Sequence, residues 1–105
     1  MAVLYRPLAR ADAARPVRFI AERDRAAAAR LRRAIRRTAE RVDRGETSGE
    51  FIGQGTSLSD LRRIAVDEFR EHQLFYVNAV FGVEVIRLRH SREDWQGELD
   101  RGEFG

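Results

Sequence analysis

The spacing of apolar residues changes near residue 45, and this change limits the possible fold more than any other feature of the chain. Between residues 28 and 42 the apolar positions recur every three or four residues, which is typical of an amphipathic helix. After residue 60 the chain instead contains runs rich in β-branched and aromatic residues, which favour strands. The runs are residues 61–66, 72–80 and 83–90. A helical half followed by a strand half predicts an α+β fold.

The first 23 residues are expected to hold a short strand and a first helix. In residues 2–6 Val3 and Tyr5 alternate with Leu4, and Pro7 ends the segment as a strand that fits the edge of a sheet. From Leu8 to Arg23 the apolar spacing is helical, although Pro16 lies inside the pattern. Because proline removes one backbone hydrogen bond of a helix, we expect Pro16 to disturb the middle of this helix.

The second helix has the clearest signals at its two ends. Asp24 can cap its N-terminus, and Gly45 follows the last helical residue, Arg44. The whole pattern therefore predicts an N-terminal strand, a helical hairpin and a three-stranded antiparallel meander, joined by a loop over residues 46–59. At 105 residues the chain is expected to form one domain over 1–105, with residues 96–105 as a frayed tail.

The basic charge of the chain is carried by arginine and concentrated in the first half. All 20 basic residues are arginines, and with 17 acidic residues the formal net charge is +3. Residues 1–44 hold 13 arginines and five acids, whereas residues 45–105 hold seven arginines and 12 acids. The cationic half favours nucleic acid, an acidic protein or an anionic surface as partner, and charge alone does not rank these three.

Composition excludes several kinds of chemistry. Without lysine the chain forms no Schiff base and has no lysine of a phosphate-binding loop, and without cysteine it has no disulfide or thiolate metal site. His72 and His90 lie in separate runs without metal-ligand spacing, so we expect no metal and no cofactor. The chain shows no signal peptide and no apolar run of about 18 residues, which predicts a cytoplasmic protein that does not contact membranes.

Two surfaces are candidates for binding a partner. Arg33, Arg37 and Arg41 follow one another at intervals of four on the second helix, so they form a cationic stripe. Such a stripe is either solvated surface or a contact for an acidic partner or nucleic acid. In the run 72–80 the two sides of the strand are both partly apolar. One side is expected to take the helices, and the other is expected to be covered by a partner.

The last third of the chain carries the most specific pattern. It reads LRRIAV at 61–66, HQLFYV at 72–77 and VEVIRLRHSRED at 83–94. In their order and spacing these segments resemble the ParE branch of the ParE/RelE toxin superfamily, over roughly residues 3–95. The resemblance implies the fold described above, because these toxins consist of a strand, a helical hairpin and a three-stranded meander.

The resemblance also implies a function. It implies the toxin component of a type II toxin-antitoxin system, which inhibits DNA gyrase by binding and stalling it, without catalysis of its own. A cognate ParD-like antitoxin is expected to neutralise it in a hetero-oligomer, and growth arrest and plasmid stabilisation are the expected consequences. The residues expected to contact the target are Arg92 and Trp95, with a lid over the sheet as the alternative role of Trp95. The residues expected to bind antitoxin are Arg33, Arg37, Arg41, Leu74 and Tyr76.

Two alternatives stay open at this stage. The first is a RelE-like ribosome-dependent endoribonuclease that cleaves mRNA, for which the candidate catalytic residues are Arg62, Arg87, His90 and Arg92. RNA cleavage requires a proton-transferring group and cations near the scissile phosphate. This chain has no lysine and no tyrosine after His90, so it is poorly equipped for that reaction. The second alternative is a degenerate toxin that binds antitoxin and inhibits no target.

Overall fold

Between residues 2 and 104, the part of the chain that the computed structural model describes, helices and strands follow the predicted α+β order. Strand β1 and helices α1 and α2 come first, then strands β2 to β5 and a short helix α3. Their bounds are β1 Ala2–Tyr5, α1 Pro7–Ala21, α2 Arg25–Asp43, β2 Glu50–Phe51, β3 Arg62–Val66, β4 Phe69–Ala79, β5 Gly82–His90 and α3 Trp95–Asp100. No helix within residues 2–104 has the length and apolar character needed to cross a bilayer.

Helix α2 begins and ends at the predicted signals. The Asp24 carboxylate accepts a hydrogen bond from the backbone N–H of Ala27 at 3.0 Å, which is N-terminal capping. Gly45 adopts φ 75°, and the next residue, Glu46, donates its N–H to the carbonyl of Arg41 at 2.9 Å. This positive φ is a conformation that glycine adopts without strain, so Gly45 reverses the chain at the end of the helix.

Helix α1 differs from the prediction, because it runs without a break through Pro16. Pro7 occupies its first turn, where a missing N–H is tolerated. Proline fixes φ near the helical value, so the cost of Pro16 is chiefly one lost hydrogen bond and a local clash with the preceding turn. The preceding turn contains Asp12, whose side chain is bound to β5 as described below, and this anchor holds the helix in place.

The strands form one five-stranded sheet in the order β1-β5-β4-β3-β2. Strands β3, β4 and β5 pair antiparallel as the predicted meander, and β1 pairs parallel with β5. Strand β4 begins at Phe69 rather than at His72, because Asp67 and Glu68 form a two-residue turn in which Glu68 has φ 70°. That turn extends the β3–β4 hairpin by three residues beyond the predicted strand.

Helices α1 and α2 cover one face of the sheet and form the main core with it. Strand β5 contains a β-bulge. Phe75 lies opposite Arg87 and Tyr76 lies opposite Val85, so Ile86 is an extra residue without a partner on β4. Phe75 and Ile86 belong to a second cluster on the other face, and the bulge at Ile86 brings Leu88 into the main core together with Val83 and Val85. The main core contains, among others, Leu31, Ala34, Ile35, Leu74, Tyr76, Val83, Val85 and Leu88.

The second face of the sheet is covered by the chain itself, and the frayed tail predicted for residues 96–105 is wrong over the described part. Residues 95–100 form α3, capped by the Asp94 side chain, and Phe104 is 1% exposed. The Phe104 ring lies 5.0 Å from the ring of Phe75 in an edge-on arrangement. Because the C-terminal segment buries the apolar side chains of this face, the face is not left for a partner.

Phe104→Ala is expected to destabilise the protein by roughly 3 kcal/mol, since it removes a buried aromatic ring from the second core cluster. Phe81→Ala is the matched control, because Phe81 is 43% exposed and its removal is expected to cost under about 0.5 kcal/mol. Urea unfolding followed by circular dichroism measures both. Equal midpoints for the two variants would contradict the packing of Phe104 against the sheet.

Candidate partner-binding surfaces

The carboxylate of Asp12 on α1 lies buried against β5, where it accepts four hydrogen bonds. Strand β1 ends at Tyr5, so the outer edge of β5 is uncovered beyond Val85. The Asp12 carboxylate accepts the backbone N–H of Leu88 there at 3.0 Å. It also accepts Arg87 Nε at 2.6 Å and Nη2 at 3.0 Å, and Arg89 Nη1 at 3.3 Å.

The same two arginines attach the C-terminal segment to the sheet. Arg89 is 7% exposed and donates to both carboxylate oxygens of Glu98 on α3, at 3.0 and 2.7 Å. Arg87 donates to the carbonyl of Glu103 at 2.9 Å, and the hydrogen-bonded Asp12 carboxylate raises the pKa of Arg87. We call this group the Asp12 network; its members are Asp12, Arg87, Arg89, Glu93 and Glu98.

The alternative nuclease residues are not brought together. Arg87 is held in the Asp12 network, and Arg62 donates to the carbonyl of Gly49 at 3.2 Å. Arg62 lies opposite Tyr76 on β4, and His90 lies opposite His72 on the same strand. Four residues of extended strand separate Tyr76 from His72, so Arg62 and His90 are about 13 Å apart along the strand direction. Only His90 and Arg92 are neighbours, because the Arg92 backbone N–H donates to His90 Nδ1 at 3.1 Å.

A cleft of about 590 Å³ opens between the second half of α1 and the ends of β4 and β5, and we call it the α1–sheet cleft. The apolar side chains lining it are Pro16, Phe19, Ile20 and Leu88, and the polar ones include Arg15, Arg23, His72, His90 and Glu93. Phe19, which is 50% exposed, adds apolar surface to this cleft. This surface was not predicted from the sequence. Its signal in the sequence is Phe19, a large apolar residue that lies outside the helical pattern of Ala13, Val17 and Ile20.

The two histidines meet at the sheet end of this cleft. Their ring centroids are 5.1 Å apart with an interplanar angle of 87°. Burial lowers the pKa of His72, and His90 lowers it further, while Glu71 and Glu93 oppose the shift. The lowered pKa favours the neutral imidazole of His72 at pH 7.

The arginines of the helical hairpin fall into two groups. In the described part of the chain, every arginine between residues 10 and 36 is exposed and has no carboxylate within 4.0 Å. Arg37 and Arg41 instead form ion pairs with Asp67 at 3.7 and 3.0 Å. Of the three arginines predicted to bind antitoxin, only Arg33 therefore belongs to the unpaired group.

The prediction that Leu74 and Tyr76 contact an antitoxin is wrong, because both are 0% exposed. Their side of β4 is the one that the helices cover, and the Tyr76 hydroxyl accepts the backbone N–H of Gly49 at 2.7 Å. The strand pattern showed that both sides were partly apolar and did not show which side the helices would take.

Arg92 and Trp95, the residues predicted to contact the target, lie three residues apart in the sequence, Arg92 in the turn after β5 and Trp95 at the first residue of α3. Arg92 is exposed and forms no ion pair within the described residues. Trp95 is half-buried on the second core cluster, with its ring 5.2 Å from that of Phe75 and under the guanidinium of Arg63 at 4.6 Å. Trp95 thus serves as a lid over the sheet, and a contact of either residue with a target stays a prediction.

Comparison with known proteins gives one family. The family model described as ParE toxin of type II toxin-antitoxin system, parDE, matches residues 3–95. No curated protein matches the chain. The matched residues run from β1 to the start of α3, and they include both helices of the hairpin and the whole meander.

Asp12→Ala is expected to lower the free energy of unfolding by roughly 3–5 kcal/mol, because it leaves Arg87 without a carboxylate partner and Arg89 with one fewer. Asp67→Ala is the matched control. It removes a partly exposed carboxylate from Arg37 and Arg41, with an expected loss of about 1 kcal/mol or less. Equal losses in urea unfolding would show that the Asp12 network is no more important than a surface ion pair.

Proposed function

The chain belongs to the ParE toxin family of type II toxin-antitoxin systems, and on this basis we propose that it arrests growth by inhibiting DNA gyrase. Family membership implies a cognate antitoxin as partner. In this proposal the antitoxin is ParD-like and neutralises the toxin in a hetero-oligomer. Both act in the cytoplasm, and the pair stabilises the plasmid that encodes it.

The Asp12 network is the observation that carries the choice of mechanism. It binds the Arg87 guanidinium to the buried Asp12 carboxylate, so this arginine of the nuclease alternative is already paired within the fold. Inhibition of gyrase by binding requires a complementary surface and no assembled catalytic group. Arg92 is exposed and Trp95 is half-buried, and arginine and tryptophan are both enriched at binding hot spots.

The α1–sheet cleft supports the proposed contact with antitoxin. Its apolar walls suit the apolar side of an amphipathic segment, and the exposed guanidiniums of Arg15 and Arg23 at its rim suit acidic side chains. Arg33 is a further candidate contact, because it is exposed and unpaired among the described residues. An antitoxin in this cleft would cover Phe19, whose ring is otherwise half exposed to water.

The proposed target is tested with purified gyrase, plasmid DNA and the full chain freed from antitoxin. We expect loss of supercoiling and trapped cleavage complexes. Arg92→Ala is expected to raise the concentration for half-inhibition about tenfold, since it removes one exposed guanidinium from the contact. Arg70→Ala, which removes an exposed arginine of β4, is the matched control and is expected to leave inhibition unchanged.

Three other results would redirect the assignment. Growth arrest without any effect on gyrase would favour ribosome-dependent mRNA cleavage, and His90→Ala would then test whether His90 acts in it. Equal loss of inhibition in Arg92→Ala and Arg70→Ala would remove Arg92 from the contact. Normal growth of cells that express the chain alone would favour a toxin that binds antitoxin and inhibits nothing.

The proposed docking site is tested with Phe19→Asp. The added carboxylate in the cleft is expected to weaken capture of the antitoxin about 100-fold, while growth arrest in the absence of antitoxin persists. Phe81→Asp is the control, because Phe81 in the β4–β5 turn is 43% exposed, close to the 50% of Phe19. It is expected to leave capture unchanged. Co-purification from cells that express both partners, followed by a binding titration, measures the effect. Undiminished capture by the Phe19 variant would exclude the cleft.

A further inference from the structure

The exposed face of α2 between residues 25 and 37 consists of arginine and alanine alone. Its exposed residues are Arg25, Ala26, Arg30, Arg32, Arg33, Arg36 and Arg37. All of these arginines except Arg37 lack a carboxylate within 4.0 Å in the described structure. We call these five, Arg25, Arg30, Arg32, Arg33 and Arg36, the α2 arginine face.

This arrangement does not serve the stability of the helix. Arg32 and Arg36 are four residues apart and repel each other, and such a like-charge pair destabilises a helix by about 0.2–0.5 kcal/mol. Asp24 caps α2 and Asp12 is buried against β5, and the exposed Glu40, four residues after Arg36, has no arginine within 4.0 Å in the described structure. A ligand that carries negative charge would relieve this repulsion.

Helix α1 extends the cationic surface on one side. Arg10 and Arg18 line a groove of about 370 Å³ whose opposite wall holds Arg32 and Arg36. The floor of the groove consists of Ala13, Ala14, Val17 and Ile35, with Tyr5 at one end. Arginines from two helices therefore line one strip of surface.

We propose that the α2 arginine face, with Arg10 and Arg18, binds the sugar-phosphate backbone of a nucleic acid without sequence preference. Each guanidinium presents a fork of donors that matches a phosphate, and arginine binds phosphate in this bidentate way. From Arg25 to Arg36 the helix advances about 17 Å, the length over which one strand of duplex DNA presents about five phosphates.

The composition of the face favours nucleic acid over an acidic protein. Stable protein interfaces are centred on buried aromatic or large aliphatic side chains, and the exposed part of α2 offers none between residues 25 and 37. In the hairpin the exposed large apolar residues, Leu8 and Phe19, both belong to α1. Residues 45–105 carry an excess of acids, so the electrostatic field of the protein orients the hairpin toward a polyanion.

The test uses the full chain freed from antitoxin and measures fluorescence anisotropy with three probes at 50 to 200 mM salt. The probes are random-sequence duplex DNA, single-stranded RNA and polyglutamate. We expect both nucleic acids to bind, with a slope of log K against log salt of about −4 to −5 for duplex DNA. Their relative affinities then identify DNA or RNA as the preferred source of the phosphates.

A triple variant assigns the binding to this face. Arg32→Gln, Arg33→Gln and Arg36→Gln together are expected to weaken nucleic-acid binding at least about tenfold and to reduce the magnitude of the salt slope by about 2.7. The control variant carries Arg44→Gln, Arg70→Gln and Arg101→Gln, which remove the same charge outside the face. It is expected to bind within about threefold of the unchanged chain. All these residues are exposed, and circular dichroism checks that both variants fold.

Three results would overturn the proposal: no binding to either nucleic acid, equal losses in the two triple variants, or polyglutamate bound as tightly as a nucleic acid of equal charge. The last result would assign the face to an acidic protein. The inference does not rest on gyrase as target, because the assay contains neither gyrase nor antitoxin. If the chain does not inhibit gyrase, the proposed binding of nucleic acid still holds. If the chain does not bind nucleic acid, the proposed function still holds.

Discussion

The buried Asp12 carboxylate is the contact on which the arrangement of the other elements depends. Taking charges out of water is costly, and the cost is offset here because Asp12 meets two guanidiniums and a backbone N–H of β5. Through Asp12 the network fixes α1 over the sheet end where β1 gives no cover, and through Arg89 it draws α3 onto the other face. The α1–sheet cleft exists because α1 is held at this position.

The acids of the second half decide which arginines are available for partners. Glu84, Asp67 and Glu98 each neutralise an arginine within the fold. Most of the acidic excess of residues 45–105 is thus used in contacts of the sheet, its turns and the C-terminal segment. The hairpin has few acids of its own, so its arginines remain available on one side of the molecule. Uneven charge along the chain becomes an uneven charge distribution in space.

Local sequence patterns predicted the helices and strands, but they did not predict contacts between residues that are distant in the chain. Helix α2 could be predicted because Asp24 and Gly45 mark its ends. The orientation of Leu74 and Tyr76 could not, since it depends on which face of the sheet the helices cover. Phe104 is an isolated aromatic residue in a polar segment, and its burial follows from Arg87 and Arg89, which hold that segment from β5. Of the two proposed binding surfaces, the sequence predicted only the arginine-rich character of α2.

Helix α1 separates the two proposed binding surfaces. Phe19 and Pro16 form one wall of the α1–sheet cleft, whereas Arg10 and Arg18 line the groove beside the α2 arginine face. A helix with its side chains is about 10 Å wide, which is close to the Debye length in physiological salt. An acidic segment bound in the cleft, which shares no lining residue with the groove, would therefore lower the positive potential at the groove. In the proposed scheme the bound antitoxin therefore weakens nucleic-acid binding through its electrostatic field.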